Sequence, residues 1–238
     1  MKIRPLPDID LARIAPLPKD QQRRQLEQMR YGRPPFSYNP LRTCFHDIFN
    51  VQPEMFGLLE PTAWPIVEAK VRAKCRSEDE LKANTAVAEG LHHFATTVQM
   101  LGRAQEFFSL SMSTGQRVTY WLPMVLSYED RPIIPFIDPR KSRGLSRAAR
   151  RFVFSMMHEH IRAADPDYEM VGLGIFQFGD GEDSARVPHL HTDDGVELIP
   201  LLELESMVAS TYALWKEISE EREVETRRRA GGMGGPLI

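Results

Sequence analysis

Only two cysteines, Cys44 and Cys75, occur in the 238 residues, and they lack CxxC spacing. That excludes a disulfide framework and leaves two reduced thiols expected in a core. No apolar run approaches the ~18 residues of a membrane span. The first residues, with Asp8 and Asp10 among prolines, lack the apolar centre of a signal peptide. The expected location is the cytoplasm, with no membrane partner. There is no P-loop, no GxGxxG turn and no GxSxG nucleophile elbow, so neither a nucleotide cradle nor a Ser/His/Asp triad can be assigned. No internal repeat is present. A net charge of −3 argues against indiscriminate polyanion binding and leaves room for a local basic patch.

With 42% hydrophobic and 26% charged residues, the chain falls in the ordinary globular range and is long enough to bury a core. The pattern predicts a proline-rich arm with one short helix over residues 1–38. A single compact domain follows over 39–219, helical to 105 and mixed α/β from 106, and then a flexible Arg/Gly tail over 220–238. Pro5, Pro7, Pro16 and Pro18 favour an extended arm, and Asp20 caps a short polar helix to Gln28. Asn39-Pro40 opens a helix with Leu41, Phe45, Ile48 and Phe49 on one side, and a further helix covers about 61–75. Ser77 and Glu80 have capping-box spacing ahead of an apolar stripe from Leu81 through Leu91, Phe94 and Val98 to Leu101.

The rest of the chain is organised around residues 117–178. Val118, Tyr120, Leu122, Val125 and Leu126 form one strand-like run, Glu129-Asp130-Arg131 turns it, and Ile133, Ile134, Phe136 and Ile137 form a second. Residues 107–112 read as an earlier strand. Ala149, Val153, Met156 and Ile161 recur at helical period over about 145–163, Asp165-Pro166 stops the helix, and Val171 to Phe178 is another strand. That is the order of a crossover unit. Short runs at 186–192 and 196–199 suggest a small hairpin, and Pro200 opens a last helix with a wide apolar face. The fold class is α/β or α+β: a helical N-terminal portion, a mixed sheet with a strand-helix-strand crossover, and a C-terminal helix packed on it.

The order helix, three strands, helix, strand resembles the core of the restriction-endonuclease-like, or PD-(D/E)xK, nuclease superfamily. Such enzymes carry Pro-Asp where this chain has Pro123-Met124, and an acid-x-lysine triple where it has Asp138-Pro139-Arg140. They hold Mg²⁺ with two carboxylates, and the lysine orients water. The resemblance implies a degenerate core: Met124 supplies no ligand, and Arg140 keeps positive charge without releasing a proton near neutral pH. Glu80 or Glu89 corresponds to the family's helix glutamate.

Three constellations remain. Arg140, Lys141, Arg143, Arg147, Arg150 and Arg151 crowd one turn and helix start, where Ser142, Ser146 and the helix N-terminus add donors. They are either a phosphate- or partner-contacting patch or a solvated face paired with acids. His189-x-His191-x-Asp193 alternates as a strand would present Zn²⁺ or Mn²⁺ ligands, or reads as ordinary loop polar residues. His158-x-His160 reads as one core-edge and one surface histidine, and His92-His93 beside Glu89 reads as an acid-base group or as a satisfied buried histidine on the apolar stripe.

The first functional expectation is therefore a non-catalytic, degenerate nuclease-fold subunit of a bacterial nucleic-acid-processing assembly. It would need no cofactor and would contact protein subunits, and DNA or RNA, through the 140–151 patch. One alternative is a metal-dependent nuclease or hydrolase using Mg²⁺, Mn²⁺ or Zn²⁺ with Asp138 and Glu89, or with the His189 group. Another is a protein-interaction subunit with no nucleic-acid role.

Overall fold

The computed structural model describes residues 5–29, 36–53, 59–107, 112, 115, 117–142, 144–182 and 185–231, with side chains to Arg227. Six strands form one mixed sheet in sequential order: β1 (Val51–Gln52), β2 (Leu101–Ala104), β3 (Met124–Tyr128), β4 (Arg131–Ile137), β5 (Gly172–Asp180) and β6 (Arg186–Thr192). β1 and β2 run parallel, β2 to β4 alternate as a meander, β4 and β5 are parallel, and β6 returns antiparallel. Glu129 and Asp130, at φ +48 and +60, make the two-residue turn between β3 and β4, a left-handed pair whose twist suits a hairpin.

Helices cover both faces. On one side lie α3 (Asn39–Arg42), α4 (Phe45–Ile48), α5 (Trp64–Lys74) and α6 (Glu78–Thr97). Their Leu41, Phe45, Val67, Val87 and Leu91 meet Met124, Leu126, Ile133, Ile137 and Phe176. On the other lie α1 (Asp8–Ile14), α2 (Lys19–Gln28), α7 (Arg147–Met157) and α8 (Leu201–Gly231). Their Leu11, Leu26, Phe152, Met156, Leu204 and Trp215 meet Tyr120, Ile134, Phe136, Leu173 and Ile175. β4 and β5 thus bury both of their faces, which is why they read as near-continuous apolar runs.

The expected α/β class, the crossover from β4 through α7 to β5, and the last helix are all present. The departures have local causes. Pro7 and Pro18, at φ −57 and −55, stand at the starts of α1 and α2; α2 is the short helix expected to Gln28, while α1 forms where an extended arm was expected. Leu6, Leu11 and Ile14 enter the core. The helix expected from Asn39 breaks at Cys44 into α3 and α4.

α6 stops at Thr97, where Gln99 adopts φ +50 and Met100 N–H donates to Ala95 O at 2.8 Å, so Leu101 starts a strand. Residues 118–123 are irregular although Val118, Tyr120 and Trp121 are buried; Pro123 has no N–H for a ladder, and β3 begins after it. Residues 196–199 form no strand, and Ile199 N–H instead donates to Ser155 Oγ at 2.8 Å. Most of the strand expected at 107–112 lies outside the described residues.

α8 runs to Gly231, through much of the stretch assigned by composition to a tail. α2 supplies the reason. Arg23 pairs with Glu217 at 2.9 Å and Glu221 at 2.6 Å, and Arg222 Nη2 donates to Glu27 O at 2.6 Å.

α1 carries a titratable consequence. Burial pushes the Asp8 carboxyl from 3.8 to about 6, against the lowering effect of the Thr119 backbone bond and Arg42. A raised acid stabilises the fold fully below its unfolded value, and that contribution is lost as pH rises through about 6. Asp8→Asn, which keeps an acceptor for Thr119, should match wild type near pH 4. By pH 7 it should exceed wild type by about 1–2 kcal/mol in urea denaturation, with partial exposure discounted.

Candidate functional site

The C-terminal end of the parallel pair is where an open α/β sheet usually places its site, and Asp138 sits there. Its N–H donates to Phe176 O at 2.9 Å, which continues the β4–β5 ladder, and its side chain is fully buried. One carboxylate oxygen accepts Arg140 Nε at 3.0 Å, and the other accepts Leu145 N–H at 3.2 Å. Arg140 Nη1 reaches Asp10 of α1 at 2.8 Å, and Asp10 also takes Arg13 at 3.2 Å. The chain Asp138, Arg140, Asp10 therefore joins the strand end, the lead into α7, and α1. It is a structural joint, with both oxygens of Asp138 already engaged.

Glu89, its expected catalytic companion, stands exposed on α6, in the helical layer opposite α7. Met124 is buried among apolar neighbours. Glu80, the other helix candidate, is buried and accepts N–H bonds from Arg76 at 2.7 Å and Ser37 at 3.1 Å, which hold its carboxyl below the usual range. Ser77 caps α6 as its spacing predicts, accepting Glu80 N–H at 3.2 Å.

The cationic cluster is mostly engaged internally. Arg140 is bound as above, and Lys141 meets Asp180 at 3.3 Å on the surface. Arg150 donates to Leu145 O at 3.1 Å and Gln177 Oε1 at 3.0 Å; burial and then Arg147 lower its pKa. Arg151 Nε donates to Glu197 O at 2.6 Å. Arg147 is exposed, and Arg143 lies outside the described residues.

His189 and His191 do share a strand, with Leu190 between them. Asp193, however, accepts Arg162 Nη1 at 2.6 Å and Leu173 N–H at 3.0 Å. Burial, with Arg150 and His189 nearby, lowers the His191 pKa. Among the described residues no group of three or more His, Cys, Asp and Glu side chains has metal-holding geometry. His160 is buried against Trp121 at a ring distance of 5.2 Å, and desolvation takes it to about 4. His92 Nε2 contacts Thr62 O at 2.7 Å.

A cavity of about 580 Å³ opens between α6 and β6. Ala86, Gly90, Phe94 and Val98 form its helical wall, Val187 and Pro188 its strand wall, and Glu89 and His93 add polar groups. Sequence periodicity put Phe94 and Val98 in a core stripe; their edge of the stripe lines this groove. The available signal was Gly90, a helix-interior glycine. A Cβ there would fall 2.0 Å from Arg186 O, so the helix and strand backbones touch at that point. Elsewhere Met170 and Leu202 are 89% and 81% exposed.

The family model for "Sliding clamp-binding bacterial toxin SocB" matches residues 9–225, from α1 deep into α8. The chain belongs to the SocB family. A "DNA replication inhibitor toxin SocB" from Caulobacter vibrioides (strain NA1000 / CB15N) is 37% identical over 232 residues, covering 98% of this chain and 97% of that protein. No solved structure matches. SocB membership overturns the resemblance to the restriction-endonuclease-like superfamily and, with it, the pseudo-nuclease reading. The shared element order arises from an ordinary meander plus crossover, and the motif positions hold a buried methionine and a structural aspartate. What the family match supports is a role in protein interaction.

If Asp138 is a joint, its removal costs stability first. Asp138→Ala leaves Arg140 and Leu145 N–H without their buried acceptor and should lower unfolding free energy by about 3–5 kcal/mol. Arg147→Ala, at an exposed site, should stay within about 0.5 kcal/mol of wild type. Equilibrium urea unfolding of both variants checks this.

Proposed function

We propose that this chain is a toxin that binds the sliding clamp and blocks DNA replication by occupying it. The observation that carries the reading is the extent of kinship. The family match and the 37% identity run through both helical layers and the whole sheet, so the entire fold is shared. The geometry is in keeping with binding rather than bond-breaking. Asp138, Glu80 and Asp193 hold backbone N–H groups and arginines in place, while apolar side chains such as Met170 and Leu202 stand in solvent.

Recognition of this kind asks for no metal or organic cofactor. A protein acting in this way would work in the cytoplasm beside the replication machinery. Among the described residues no helix is long and apolar enough to cross a membrane.

The test is direct. Purified chain mixed with the purified sliding clamp of the same organism should form a complex with a Kd of about micromolar or tighter. In a reconstituted primer-extension reaction, synthesis should stall in proportion to complex formed, and the template should stay uncut. No complex, or stalling accompanied by template cleavage, overturns the reading.

A further inference from the structure

The outer edge of β6 carries backbone groups that no strand of the sheet meets; of these the Arg186 carbonyl lies against α6 at Gly90. Gly181 N–H donates to Ala185 O at 2.9 Å, and Asp193 N–H to Leu173 O at 3.2 Å. The register between those points pairs Gly174 with Thr192 through Asp180 with Arg186. Bonded and non-bonded pairs alternate in an antiparallel ladder. The backbone groups of Val187, His189 and His191 therefore face β5, and those of Arg186, Pro188, Leu190 and Thr192 face away. β6 ends the sheet, so this outward row has no strand partner among the described residues.

Pro188 falls in the outward row, where its missing N–H breaks no bond to β5. It also works against one occupant. Two copies of this edge paired about a two-fold axis near Pro188 would bring two donor-less residues together in the new ladder. A partner strand from a different protein has no such restriction, since it can take Leu190 N–H and the carbonyls of Pro188, Leu190 and Thr192.

The groove beside the edge specifies that strand further. Its lining is apolar except for Glu89, His93, Thr97 and Arg186, the Arg186 guanidinium lying over the Phe178 ring, and Glu89 is exposed with no ion-pair partner among the described residues. An apolar side chain suits the space between Phe94, Val98 and Val187, and a cation suits Glu89. We propose that the β6 edge and the α6–β6 groove dock an extended segment of a partner protein, with an apolar side chain in the cavity and a lysine or arginine against Glu89. Main-chain bonds would supply affinity and the pocket the choice of sequence. The proposal stands apart from clamp binding, and each can fail without the other.

The probe is a short synthetic peptide of alternating valine and lysine, added to ¹⁵N-labelled full-length protein. Amide resonances of Glu89, Gly90, Phe94, Leu190 and Thr192 should shift together and saturate, and backbone N-methylation of the peptide should abolish the shifts. A valine–glutamate peptide should bind about threefold more weakly or worse. Glu89→Lys, an exposed change that leaves the fold intact, should invert that preference. Three results overturn the proposal: no shift at these positions, a preference that Glu89→Lys leaves unchanged, or concentration-dependent self-association in sedimentation that moves the same resonances.

Discussion

The parallel pairing of β4 with β5 is the constraint on which the rest of this structure depends. Ile133 and Ile137 face one helical layer and Ile134 and Phe136 the other, and Phe176 and Ile175 divide in the same way on β5. Both cores are therefore anchored to the same two strands. A parallel pair cannot be closed by a tight turn, so the chain must leave the sheet through α7 and return. That excursion fixes which face α1, α2 and α8 can cover. Asp138 secures the point of departure, holding Leu145 N–H at the entry to α7 and Arg140 against α1.

A second polar device does comparable work on the opposite layer. Asn84, fully buried on α6, accepts Leu41 N–H at 3.0 Å and donates to Ser37 O at 2.8 Å, while Glu80 takes the Ser37 and Arg76 amides. These residues bind the approach to α3 onto α6. A carboxylate in such a place resembles a catalytic group in sequence, yet in the fold it satisfies backbone donors that would otherwise be buried unpaired.

The sequence was most legible where one physical signal dominated. Near-continuous apolar runs located β4 and β5, helical period located α6 and α7, and the Ser77 cap marked the start of α6. It was less legible where tertiary contacts decided the outcome. Residues 118–123 have strand composition, but Pro123 and the demand for Tyr120 beneath α1, where its hydroxyl donates to Asp8 O at 2.8 Å, keep them irregular. The continuation of α8 depends on α2, a partner nearly 200 residues away in sequence, as in Arg23 with Glu221. Charged residues were harder still. Spacing alone cannot show whether Asp138 or Asp193 holds a metal or an arginine, and only the fold brings Arg140 and Arg162 to them. The groove was hidden for a related reason, since its helical wall belongs to an apolar stripe that serves the core for most of its length.

Native-state hydrogen exchange tests the primacy of the β4–β5 pair most directly. Amides that donate across the β4–β5 ladder, those of Ile134, Phe136, Gly174 and Phe176, should exchange only through global unfolding, so that their free energies equal the value from urea denaturation. The second half of α8 and the β1 edge should open at lower cost. If α6 or α8 amides outlast the β4–β5 ladder, the two layers do not depend on that pair and the account is wrong.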